Sequence, residues 1–146
     1  MRFLKKLFGI LPLRFAYAHC DVPCGIYDPK IAQIASLTVL KMVQKIFELK
    51  KGESDDEKLN YKNSLMRMIL TKEEHAQKCK EEILILWTDY FKEENLENIP
   101  DLHDLFWKTA KLCSYNKQEV SLTSAQELVD SVNKIAEIFE KSKSTT

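Results

Sequence analysis

Three glycines and four prolines in 146 residues leave this chain few positions at which its backbone can reverse sharply, so long helices are the expected outcome. The length fits one domain, and 45% hydrophobic with 30% charged residues is the balance of a globular chain that buries a real core. Charge is zero overall but uneven. Arg2, Lys5, Lys6 and Arg14 lie in the first 18 residues, which contain no acid; the remainder keeps 18 basic against 22 acidic side chains, a net of −4. A body with that balance carries no basic footprint for nucleic acid.

Turn signals divide the rest into four helical segments. Asp28-Pro29 reads as an N-cap and first helical residue, since the carboxylate can accept a free N–H and proline lacks the donor that would be wasted there. Ala32, Ala35, Val39, Val43 and Ile46 follow at three- and four-residue spacing, widened by Leu40 and Phe47, until Gly52 ends the helix. Ser54 and Glu57 have capping-box spacing, and from there to about Tyr90 one long helix is expected. Its apolar face carries Ala76, Cys79, Ile83, Leu86 or Trp87, and Tyr90, with Lys72, Glu73, Glu74, Lys78, Lys80, Glu81 and Glu82 as solvated charge. Residues 92–100 read as a polar loop. Pro100-Asp101 opens a third helix with Leu102, Leu105, Phe106, Thr109, Leu112 and Cys113 inward; Asn116 to Leu122 makes a connection. A last helix starts at Thr123-Ser124 and buries Ala125, Leu128, Val129, Val132, Ile135, Ala136 and Phe139. The fold class is therefore all-α, an antiparallel four-helix bundle over residues 28–146.

Residues 1–18 combine a basic start, a short apolar run and the ending Ala16-Tyr17-Ala18. That pattern marks a leader to be removed. A secretory signal is one reading, because Ala-x-Ala is what signal peptidase accepts. Arg14, between the apolar run and the cut, favours a dedicated leader with its own protease and a cytoplasmic product, export being the alternative. The run is far shorter than the roughly 20 residues that span a bilayer, so no stable membrane association is expected.

The chemistry-bearing stretch lies between leader and first helix, where His19, Cys20 and Cys24 fall within six residues. Cys-x3-Cys alone is unspecific: it fits a disulfide, half a zinc site or accidental neighbours. Cleavage after Ala18 would give His19 a free amine beside its imidazole. Amine, Cys20 amide nitrogen and the two sulfurs can then form a planar N2S2 set, which suits nickel(II) or copper(II) where zinc prefers a tetrahedron. Two thiolates tend to reduce copper(II), which favours nickel. Pro23 and Gly25 bend the loop back, one by fixing φ and the other by permitting positive φ. Tyr27 follows the loop, where its phenol can cover the metal's open face and hold a small ligand; the plainer reading packs it against the first helix.

The run His19-Cys20-Asp21-Val22-Pro23-Cys24-Gly25-Ile26-Tyr27-Asp28-Pro29 resembles the nickel hook of nickel-dependent superoxide dismutases, and Leu86-Trp87-Thr88-Asp89-Tyr90-Phe91-Lys92 with Pro100-Asp101-Leu102-His103 is similar to a later block of that family. The resemblance implies a short four-helix bundle, a homohexamer with one nickel ion per subunit, and disproportionation of superoxide anion. It gives His19 the amine and axial imidazole, Cys20 the amidate and a thiolate, and Cys24 the second thiolate. Tyr27 becomes a candidate proton source, Asp21 a structural residue of the hook, and Lys92 a charge that steers the anion. In relatives a glutamate and an arginine brace the axial histidine; the corresponding positions here hold Ala35 and His75. Cys79 and Cys113 read as core thiols, His75 and His103 as satisfied or solvated side chains. The competing function is a non-redox helical interaction module in which Cys20 and Cys24 form a disulfide or bind zinc.

Overall fold

Helix α1 (Lys30–Glu48) begins where Asp28 and Pro29 set it. The Asp28 carboxylate accepts the Lys30 N–H at 2.8 Å, and Pro29 already holds near-helical dihedrals (φ −71°, ψ −5°). The computed structural model describes residues 26–143. Ala32, Ala35, Val39 and Val43 form the buried stripe of α1 as expected, joined by Ser36, whereas Ile46 is half-buried and Phe47 lies exposed. The helix also stops four residues before Gly52. Gly52 serves the next helix instead: a Cβ there would run into the Glu57 side chain.

Glu57 needs that space because it closes a capping box. The Ser54 hydroxyl accepts the Glu57 N–H at 3.3 Å, and the Glu57 carboxylate accepts the Ser54 N–H at 3.0 Å. The Ser54 N–H, the Ser54 hydroxyl and the Glu53 N–H, all donating to the Glu57 carboxylate, hold it below the usual glutamate range. The cap therefore acts above that range and is lost as pH falls through the depressed value. Helix α2 (Asp55–Ile85) follows, and Leu86–Tyr90 continue it as one π-helical turn, closed by the Phe91 N–H on the Leu86 carbonyl at 3.1 Å.

The polar stretch after it is not a bare loop. Residues Glu93–Asn98 form a short helix α3, with the Lys92 N–H held by Asn95 Oδ1 at 2.8 Å. Leu96 and Ile99 rest on the core. Helices α4 (Leu102–Gln118) and α5 (Leu122–Lys143) complete the chain. All seven residues expected inside α5 are buried. The connection between them shrinks to residues 119–121. Asn116, expected in that connection, is a buried part of α4, and its amide donates to the Leu112 carbonyl and to Ser124.

Each long helix packs on the one before and after it, and α5 returns to α1, giving an antiparallel four-helix ring with no strand among the described residues. Phe106, Phe139, Leu102, Leu128, Ile83 and Ile135 fill its axis; each such burial contributes about 1.5–3 kcal/mol.

One charge contradicts the expected wet face. Lys72 is buried, and its ammonium donates to the Asn116, Lys117 and Glu119 carbonyls at the end of α4. Three donors meet three acceptors, at a helix end whose dipole favours a cation. Burial pulls the Lys72 pKa below the ordinary lysine range, against the opposing pull of Glu73 and Glu119. Lys72→Met should cost roughly 2–3 kcal/mol, because it strands those carbonyls, and urea unfolding would show this as a lower midpoint at unchanged slope.

Candidate metal centre

The antiparallel order gathers the start of α1, the π turn, the start of α4 and the end of α5 at one end of the bundle. Tyr27, the first aromatic side chain before α1, is fixed there. Its ring lies 5.6 Å from that of Tyr90 at 58°, so the π turn forms part of its seat.

Tyr90 is itself tightly held. Its ring lies 4.5 Å from Phe139 and 4.9 Å, edge-on, from Phe91. Its hydroxyl is 2.7 Å from Ser142 Oγ, which donates its own proton to the Phe139 carbonyl at 2.7 Å. Tyr90 is thereby left as donor in the pair. Aromatic contact then continues from Phe91 to Phe106 (5.5 Å), from Phe106 to a parallel Trp87 (5.9 Å, 2°), and from Trp87 to His103 (5.7 Å). The Trp87 indole N–H donates to His103 Nδ1 at 2.7 Å. His103 is thus both exposed and hydrogen-bonded.

Other residues singled out from sequence fall into place separately. Lys92 is exposed beside the π turn and makes no ion pair among the described residues. Ala35 is buried in α1, and the His75 ring donates from Nδ1 to the Thr71 carbonyl at 2.9 Å. Neither is a carboxylate or a guanidinium, the groups that the resemblance implies at those positions. Cys79 and Cys113 are core thiols, as expected. A hydrogen bond from Cys113 and burial push the Cys79 thiol far above its usual range. A thiol held protonated in this way is unfit to ligate a metal. Among the described residues no three His, Cys, Asp or Glu side chains stand close enough together to hold a metal ion. No described helix is long and apolar enough to cross a membrane. His19, Cys20, Asp21, Pro23, Cys24, Gly25 and the leader 1–18 lie outside the described residues.

Periodicity could not find the Tyr27 seat, Ser142 or the Trp87–His103 bond. Trp87 and Tyr90 stand three apart in the later motif block, which was the available signal.

The described residues define a protein of the all-α bundle class, with His19, Cys20 and Cys24 preceding its first helix in sequence. A sequence model of the family described as nickel-containing superoxide dismutase matches residues 14–143. The superoxide dismutase [Ni] of Streptomyces seoulensis is 34% identical over 140 residues, spanning 96% of this chain and 98% of that protein. The superoxide dismutase [Ni] of Streptomyces coelicolor is 35% identical over the same extent. A native nickel superoxide dismutase structure superposes with a TM-score of 0.72 at 33% identity, covering 86% of this chain and 99% of that one. An apo structure of such an enzyme gives 0.70 at 28% identity, covering 82% and 99%.

The chain belongs to the nickel-containing superoxide dismutase family. It is accordingly an oxidoreductase with a nickel cofactor. Because Tyr90 supports the residue nearest the candidate ligands, Tyr90→Leu should weaken nickel binding roughly 10–100-fold with every donor still present, the scale of outer-shell effects. Chelator competition would measure this.

Proposed function

We propose that residues 1–18 are removed by a protease and that the new N-terminus at His19 forms a nickel hook, one ion per subunit, at which superoxide is disproportionated to dioxygen and hydrogen peroxide. Residues 28–146 then serve as the bundle that carries it. The donor set fits nickel: the His19 amine and imidazole, the Cys20 amide nitrogen and the sulfurs of Cys20 and Cys24 would hold the ion, being the nitrogen and thiolate donors that suit it. The observation that carries the reading is the seat of Tyr27. It lies three positions after Cys24, a Cα path of at most about 11 Å, and its packing on Tyr90 ties that side of the segment to the bundle.

Nickel in that set supplies one-electron chemistry between its divalent and trivalent states. The anionic sulfurs and the amidate bring the higher state within reach of superoxide, and the His19 imidazole adds the donor that this state favours. Pro23, with its fixed φ, and Gly25, which permits a positive φ, are the residue types suited to bending such a loop, and Asp21 is assigned a structural part in it. Formation of peroxide consumes two protons. Tyr27, loop N–H groups and solvent are the sources on hand. The substrate is an anion, and exposed Lys92 together with the positive N-terminal ends of α1 and α4 favours its approach. Ile31, Ile34 and Leu37 stand exposed along α1, an apolar stripe that supports assembly into a homohexamer. A cytoplasmic site of action agrees with a leader broken by Arg14.

Intact mass and metal content of the purified protein test cleavage and coordination together: a start at His19 with one nickel is expected, and retention of residues 1–18 in the active enzyme defeats the reading. Cys24→Ser should abolish both nickel binding and dismutation while leaving helicity unchanged by circular dichroism; a zinc-loaded, inactive wild type would support the interaction module. Lys92→Glu should lower kcat/KM several-fold at low salt, with the difference shrinking as ionic strength rises.

A further inference from the structure

Peroxide made at a redox metal can react back with it, and the aromatic side chains leading away from Tyr27 bear on that hazard. Tyr27, Tyr90, Phe91, Phe106, Trp87 and His103 form an unbroken series in which successive ring centroids are 4.9–5.9 Å apart. The series starts within three residues of Cys24 and ends at an exposed imidazole. Its terminus is built for one chemical event. The Trp87 N–H points at His103 Nδ1 from 2.7 Å, and an indole that loses an electron becomes a strong acid whose proton leaves through that N–H. His103 is placed to take it.

We propose that Trp87 and His103 are the terminus of an electron path that discharges oxidising equivalents from the nickel hook when hydrogen peroxide reacts there. The inference rests on the hook reading above. One peroxide takes up two electrons and two solvent protons and leaves as two waters. One electron comes from divalent nickel, which becomes trivalent; the other comes from Trp87 by way of Tyr90 and Tyr27, both of which end the transfer unchanged. The Trp87 proton passes to His103, leaving a neutral indolyl radical beside an imidazolium. A small one-electron reductant of the ascorbate class restores Trp87, and His103 returns the proton. Phe91 and Phe106 are not oxidised; they fill the gap between the two oxidisable residues of the π turn.

The protein contains its own control. Trp107 is 53% exposed and stands outside the series, whereas Trp87 is half-buried on Phe106. Oxidant arriving from solvent would strike Trp107 first. The test exposes the nickel-loaded enzyme to hydrogen peroxide without added reductant and maps oxidised residues by peptide mass spectrometry. Hydroxytryptophan and kynurenine should accumulate several-fold faster at Trp87 than at Trp107, and ascorbate should suppress them. Trp87→Phe, which keeps the ring stack, should move damage back to Tyr27, Cys20 and Cys24 with the initial dismutation rate unchanged. His103→Leu, a change at an exposed position, should lower oxidation at Trp87 and raise it at Tyr27 likewise. Oxidation of Trp107 at or above the level of Trp87, or the same pattern in nickel-free protein, would overturn the path. Nickel stoichiometry and the mass of the N-terminal peptide, read on the same sample, report separately on the hook.

Discussion

The fixed position of the Tyr90 ring is the constraint on which the functional end of this protein depends. Phe139 from α5 and Phe91 from beyond the π turn enclose it, Ser142 holds its hydroxyl, and Tyr27 leans on its remaining side. Rings pack in such tilted and edge-on arrangements because their faces are negative and their edges positive. Each contact therefore restricts an angle as well as a distance. The widened π turn lets Leu86, Tyr90 and Phe91 all contribute to the core, where an ordinary last turn would carry one of them outward. Tyr27, three residues before α1 begins, is thus tied to a rigid support.

The two ends of the bundle are closed by different physics. At the far end Lys72 gathers three carbonyls of the α4 terminus, and Asn116 ties the same turn to Ser124 at the start of α5. That end is polar and held chiefly by hydrogen bonds to backbone carbonyls. At the near end the contacts are between rings, and the polar atoms that remain, at Tyr90, Trp87 and His103, make hydrogen bonds in which a proton can be relocated.

Much of the fold was legible because it depends on local rules. The α5 stripe and the Ser54–Glu57 box appear as expected, and the Asp28 carboxylate does accept a free N–H at the start of α1, although Pro29 is the N-cap and Lys30 the first helical residue. Expectations failed where distant segments decide. Lys72 read as solvated because its three acceptors are 44 to 47 residues away. Residues 92–100 read as loop because their polarity hides the Asn95 cap and the two apolar residues that rest on the core. Asn116 read as connection because asparagine favours turns, yet Ser124 gives its amide a buried partner. Of the candidate site, the donor types and their spacing were visible in the motif, while the support for Tyr27 was not.

By itself the sequence determined the helical class and the capping residues of the early helices, and it carries the imidazole and thiol side chains proposed to hold nickel, since these follow from residue type and short-range spacing. Only the tertiary structure decided that Tyr27 rests on Tyr90, that Trp87 bonds to His103, and that Lys72 leaves water. These pairings join residues from helices that meet only when the bundle closes, and no local pattern encodes which partner a side chain will find there.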